Sequence, residues 1–211
     1  WRGHVAVKWL YGGIIFIQAI ILYYTASRGA IIGLTGGIIL AALLIAFFER
    51  ERKTLRRAAL GVLLGVLILV GGFFAIKNTD VVNKSEPLRR LATISLADGS
   101  TRFIIWSMAW QGVKERPLFG WGQESFNFVF NKYYDPRLYS QEPWFDRVHN
   151  IIFDWLVAGG FLGLIAYLSL YVAALRYLWS RRPSFLSVID KSILTGLLAA
   201  SFFQYFFVFD N

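Results

Sequence analysis

Residues 30–48 read AIIGLTGGIILAALLIAFF and residues 58–76 read AALGVLLGVLILVGGFFAI, each nineteen positions without a charged side chain. A helix of that length rises about 28 Å, close to the ~30 Å hydrocarbon core of a bilayer. Two such runs joined by a short charged connection describe a hairpin of membrane spans. Working outward, residues 9–27 form a third apolar run with Gln18 as its strongly polar group. Residues 151–175 form a fourth, with Asp154 near its start, and residues 192–209 a fifth. The expected fold is therefore an all-α, polytopic transmembrane bundle.

The composition agrees. Hydrophobic residues make up 56% of the 211 and charged residues 17%, below the roughly 25% of an ordinary soluble domain. Cysteine is absent, which excludes disulfides, thiolate chemistry and cysteine-ligated metals. His4 and His149 are the only histidines, too few for a polyhistidine centre. No cofactor is expected, and a metal held by aspartates is not excluded by counting. The chain starts at Trp1 and stops at Asp210-Asn211 directly after an apolar run. It is expected to be a piece of a longer polypeptide, a C-terminal part of a membrane domain.

A net charge of +9 is compatible with nucleic-acid binding, but the placement of the charge argues otherwise. Arg50, Arg52, Lys53, Arg56 and Arg57 crowd the connection between the second and third spans. Arg176, Arg181, Arg182 and Lys191 occupy the connection between the last two, and Arg2 and Lys8 precede the first. Short loops rich in Lys and Arg stay in the cytoplasm. An alternating five-span path puts all three clusters on that side. Membrane lipids, and no nucleic acid, are the expected surroundings. The long loop at about 77–150 falls outside.

That loop has two parts. Residues 77–100 are polar enough to be a loosely packed stretch. From Thr101 to Asn150 there are thirteen aromatic residues, too many for a linker. Phe103, Trp106, Ala109, Trp110 and Val113 recur at helical spacing, with Ser100 or Thr101 as N-cap and Pro117 beyond the end. An amphipathic helix is expected at about 101–115, on the membrane surface or folded over the bundle. Gly120-Trp121-Gly122 then makes a sharp turn.

Chemistry-bearing side chains gather at the outer boundary. Arg28 opens the 30–48 run, where an arginine either snorkels to the surface or holds an anion. Arg102 starts the loop helix, and Arg147 and His149 sit where the loop re-enters the membrane. Guanidinium forks suit phosphate, and an imidazole with an ordinary pKa near 6.5 suits general-base work. Asp146 or Asp154 is a candidate to orient His149. Trp106, Trp121, Gln123, Glu124 and Asn150 are candidates to bind sugar hydroxyls or support the loop. Gly160 and Gly163 read as a notch for a neighbouring helix or a lipid chain. The bland alternative is that the cations are interfacial anchors and the glycines only packing.

In order along the chain, these residues resemble the O-antigen ligase and O-antigen polymerase superfamily of bacterial envelope proteins. The elements are Ser27-Arg28-Gly29; Arg102, Trp106 and Ala109 followed by Pro117-Leu118-Phe119-Gly120-Trp121-Gly122; and His149-Asn150, nine residues, then Gly160-Phe161-Leu162-Gly163. The resemblance implies a membrane glycosyltransferase of the GT-C-like type, metal-independent and inverting, with a large periplasmic loop over its site. It implies the bacterial inner membrane and a glycan on undecaprenyl diphosphate as donor. The acceptor would be lipid A-core for a ligase, a growing glycan for a polymerase, or a protein hydroxyl for an O-oligosaccharyltransferase. His149 would activate the acceptor hydroxyl, and Arg28 and Arg102 would engage the diphosphate. From a different class, a glycolipid-binding transporter or scaffold is also weighed. The lack of polar residues at mid-membrane depth speaks against it.

Overall fold

The computed structural model describes residues 2–25, 27–92, 98–139, 144–180 and 185–206. Every regular element among them is helical. Four helices are long and apolar enough to cross a membrane: α1 (Arg2–Thr25, apolar from Ala6), α2 (Arg28–Phe48), α3 (Lys53–Ile76) and α8 (Ile151–Leu178). Two short helices follow α3, namely α4 (Asp80–Lys84) and α5 (Glu86–Ala92). The loop region then gives α6 (Asp98–Glu115) and α7 (Phe126–Lys132), and the described chain closes with α9 (Val188–Phe206). Expected span ends shift by a few residues. The fifth expected span corresponds to α9, which begins four residues earlier, carries Asp190 and Lys191 in its first turn, and is not among the four. Positions 207–209 of that span lie outside the described residues.

Small residues set how α2 and α9 meet. A Cβ placed on Gly37 would lie 2.4 Å from the Gly196 carbonyl oxygen, and one on Gly196 would lie 2.4 Å from that of Gly37. Gly33 faces the Ala200 carbonyl in the same way, at 2.6 Å. The backbones therefore touch along a stripe spaced by four residues, Gly33, Gly37 and Ala41, the close approach typical of membrane helices. Phe48 packs on Trp179, ring centres 4.9 Å apart, and the Trp179 indole N–H donates to Thr195 Oγ1 at 2.9 Å. These contacts bring the C-termini of α2 and α8 and the early turns of α9 to one end of the bundle. The far end of α9 reaches α6, where Phe206 meets Trp106 edge-on.

The main buried cluster, the outer body, is built from the loop helices and the first turns of α8. Ile105, Met108, Ala109 and Val113 of α6 pack with Val129 and Phe130 of α7, Leu138, Val148, and Leu156 and Val157 of α8. The α6 helix starts at Asp98, so neither Ser100 nor Thr101 caps it. Its buried face is also rotated from the expected one. Ala109 and Val113 face inward as expected, but Phe103 and Trp110 point out while Ile105 and Met108 take the interior. Over its described part, the stretch expected to be loosely packed at 77–100 holds two short helices, with Val82 the one buried residue among those described. Glu86 pairs with Arg89 and Arg90.

Candidate active site

Two glycine turns lock into each other. Inside α8, Gly160 has φ 64° and ψ −161°, a region open essentially to glycine alone, and the helical hydrogen-bond ladder breaks there. The Pro117–Gly122 turn fills the break. Trp121 N–H donates to Val157 O at 2.7 Å and Gly122 N–H to Ala158 O at 3.0 Å. In return Phe161 N–H donates to Pro117 O at 2.7 Å and Leu162 N–H to Leu118 O at 3.3 Å. The groups freed by the kink are thus satisfied by the turn. A Cβ on Gly120 would lie 2.4 Å from Val157 O, and one on Gly160 would lie 2.4 Å from the Leu118 carbonyl. At Gly160 the backbone that approaches is the loop's. Gly163 has ordinary clearance, 3.5 Å to Trp155 O.

Trp121 secures the turn from above. Its indole N–H donates to Gly112 O at 2.8 Å, and the Arg116 guanidinium lies 4.4 Å over its ring. Lys132 comes over the same ring and donates to Glu115 Oε1 at 2.6 Å. Lys132 first, then the Tyr133 hydroxyl, hold the Glu115 carboxyl below the usual carboxylate range. Trp106 stacks on Phe153 of α8, ring centres 5.8 Å apart. Its Nε1 is buried and has no hydrogen-bond partner among the described residues. Both tryptophans are built into the packing of the outer body.

His149 stands where the loop enters α8. Asn150, 2% exposed, is the N-cap, its side-chain oxygen accepting from Ile152 N–H and Phe153 N–H. Asp154 Oδ1 accepts from Val148 N–H at 2.9 Å. Fixed on both sides, His149 takes φ 56°, with its half-buried ring edge-on to Phe145. Asp154 thus holds the backbone one residue before the histidine. Beside it opens a cleft of about 190 Å³, walled by Gln123, Glu124, Asp146, Arg147, Asp154 and Trp155, among others. Glu124 has φ 54°. Among the described residues, Glu124 and His149 are the only non-glycine residues with positive φ. Such strain concentrates at functional sites.

Five residues expected from sequence, Gln123, Glu124, Asp146, Arg147 and Asp154, therefore share one cleft. Arg28, Arg102 and His149 are not among its walls. Arg28, at the start of α2, donates from Nε to Arg90 O at 3.0 Å, tying the span to α5. Arg102 is half-buried in the second turn of α6. Trp155 and Ser125 were missed by the sequence reading. Trp155 reads as one more apolar residue of a span, and only the break at Gly160 turns its segment into part of the outer body. Among the described residues no three His, Asp or Glu side chains gather to hold a metal ion.

A family model described as O-Antigen ligase matches residues 13–168, well over half the chain. No curated protein and no solved structure matches it significantly.

Proposed function

This chain belongs to the O-antigen ligase family, and from that membership we propose that it moves a glycan from undecaprenyl diphosphate to an acceptor hydroxyl at the periplasmic face of the inner membrane. The observation that supports the reading is that the two non-glycine residues with positive φ among those described both fall at this one place, Glu124 in the wall of the charged cleft and His149 beside it in sequence, between Arg147 and Asn150. In the reaction, the acceptor oxygen attacks the anomeric carbon and its proton passes to His149. The bond from that carbon to the diphosphate oxygen breaks, with inversion and without a metal. Arg28 and Arg102 stabilise the charge that grows on the departing diphosphate. Arg147, in the wall of the cleft, is the third cation for the diphosphate, and Gln123 and Glu124 hold sugar hydroxyls. Lipid A-core is the preferred acceptor.

Complementation tests this. The full protein, at matched membrane levels, is placed in a ligase-null and in a polymerase-null strain, as wild type and as His149→Ala. Restored acceptor-linked polysaccharide in the ligase-null strain, with a loss of about 100-fold or more in H149A, is the expected result for a general base. Chain growth restored only in the polymerase-null strain would make the acceptor a growing glycan. Full activity in H149A would remove the base role.

A further inference from the structure

An apolar groove of about 420 Å³ runs between α2, α3 and α9, at the end of the molecule away from the charged cleft. Its walls include Ile38 and Ile45 of α2, Leu55 and Val62 of α3, and Ile189 and Ile193 of α9, over a floor of glycine and alanine. Among the described residues, none that lines it is charged. On α2 it extends from Leu34 to Ile45 and on α9 from Ile189 to Ala200. Each of those stretches rises about 16 Å, close to half the ~30 Å hydrocarbon core. A spanning helix needs the whole thickness, whereas a lipid chain occupies one leaflet.

The mouth of the groove is basic. Arg52 is one turn before Leu55, and Arg50, Lys53, Arg56 and Arg57 surround it, all five exposed and none in an ion pair among the described residues. Of the nearby acids, Glu51 is exposed between Arg50 and Arg52, which leaves five cations against one open carboxylate, and the other two are occupied. Glu49, 8% exposed, accepts from Arg52 N–H, and Asp190 accepts from the N–H and hydroxyl of Ser187. The α3 helix starts here with no side-chain cap, so its first amides also face outward. The basic connection places this end at the cytoplasmic leaflet.

We propose that this groove is a specific site for an anionic phospholipid of the cytoplasmic leaflet. One acyl chain lies against the small-residue floor, and the phosphate rests among Arg52, Lys53 and Arg56. The site is independent of the glycan chemistry at the opposite end.

The test uses the full membrane protein, stripped of lipid and titrated with phosphatidylglycerol or phosphatidylcholine of identical chains. Bound lipid is counted by native mass spectrometry. Wild type is expected to retain one phosphatidylglycerol at a concentration at least tenfold lower than phosphatidylcholine. The combined variant Arg52→Gln, Lys53→Gln and Arg56→Gln, which changes only exposed side chains, should lose that preference. Ala58→Trp, which fills the groove, should lose tight binding of both lipids. If A58W does not fold, the charge variant decides alone. Equal affinity for the two lipids in wild type, or a preference that survives the charge variant, overturns the proposal. So does a photo-crosslinker at Val62 that captures a protein segment rather than lipid.

Discussion

The outer body and the membrane helices are built on opposite terms. In the outer body, apolar side chains from α6, α7 and the start of α8 turn toward one another, and Val129, Leu138 and Val148 are fully buried. Along α3 they turn away. Leu64, Leu67 and Leu69 are all more than half exposed, and the buried residue of that helix is Ala59. The hydrophobic effect explains the first region and not the second, since a lipid tail is as good a neighbour for leucine as another leucine. What holds α2 to α9 is therefore backbone contact through glycine. The two regions share that device, because the loop also meets α8 through glycines. They differ in what the contact does. Between α2 and α9 it lets two intact helices approach, whereas at Gly160 it repairs a broken one.

The largest expected effect breaks the second kind of contact. Gly160→Ala would require an essentially glycine-only conformation and push a methyl into the Leu118 carbonyl. The strain alone costs about 1–3 kcal/mol and the clash adds to it, so the outer body should lose about 3 kcal/mol or more. Limited proteolysis of the 117–150 loop in membranes reads this out. Gly163→Ala, three residues further along the same motif, should stay within about 1 kcal/mol, because its Cβ has room. Equal sensitivity at both positions would refute the loop-docking role assigned to Gly160.

A second experiment sharpens the difference in solvent. Leu64 in the middle of α3 is 57% exposed and Phe128 of α7 is 64% exposed. If α3 faces lipid, Leu64→Lys should cost about 3 kcal/mol of insertion free energy, while Phe128→Lys should change stability by about 0.5 kcal/mol or less. A glycosylation-based insertion assay measures the first and thermal unfolding of the purified protein the second. Comparable tolerance at the two sites would mean that α3 is not a lipid-facing span.

The smallest effect separates stability from chemistry at the junction of the two regions. Asn150→Ala removes the cap of α8 and should cost about 1 kcal/mol, with Asn150→Asp restoring most of it. Transfer activity should fall more than this stability loss accounts for, since the same cap fixes His149 at φ 56°. Activity that simply tracks the amount of folded protein would leave Asn150 a cap and nothing else.

Much of this was readable along the chain. Long uncharged runs announce spans because a bilayer demands length, and α1, α2, α3 and α8 appear where those runs lie. The charged residues of the cleft, Glu124, Asp146, Arg147 and Asp154, are legible in the sequence, whereas Ser125 and Trp155 are not. What could not be read is which distant segments meet. The Pro117–Gly122 turn and Gly160 are joined by four backbone hydrogen bonds, and backbone partners leave no side-chain signature. The rotation of α6 has a similar origin. Its spacing permitted a face with Phe103 and Trp110, but packing against α7 and α8 selected Ile105 and Met108, which fit a tight interior better than two large rings. The Gly33, Gly37, Ala41 stripe is a visible sign of close helix contact, but it does not say which helix it meets.

The break in α8 also sets a depth. From Phe161 to Leu178 the helix rises about 27 Å at 1.5 Å per residue, nearly the whole hydrocarbon thickness. That segment is sufficient as an anchor. The nine residues before Gly160 act instead as a bracket, clamped to the loop and carrying the histidine at their tip. Adding or removing a leucine below Gly163 would change the tilt of the anchor and leave the bracket fastened to its turn. The position of His149 relative to the loop is therefore governed by one glycine break, not by the length of a rod.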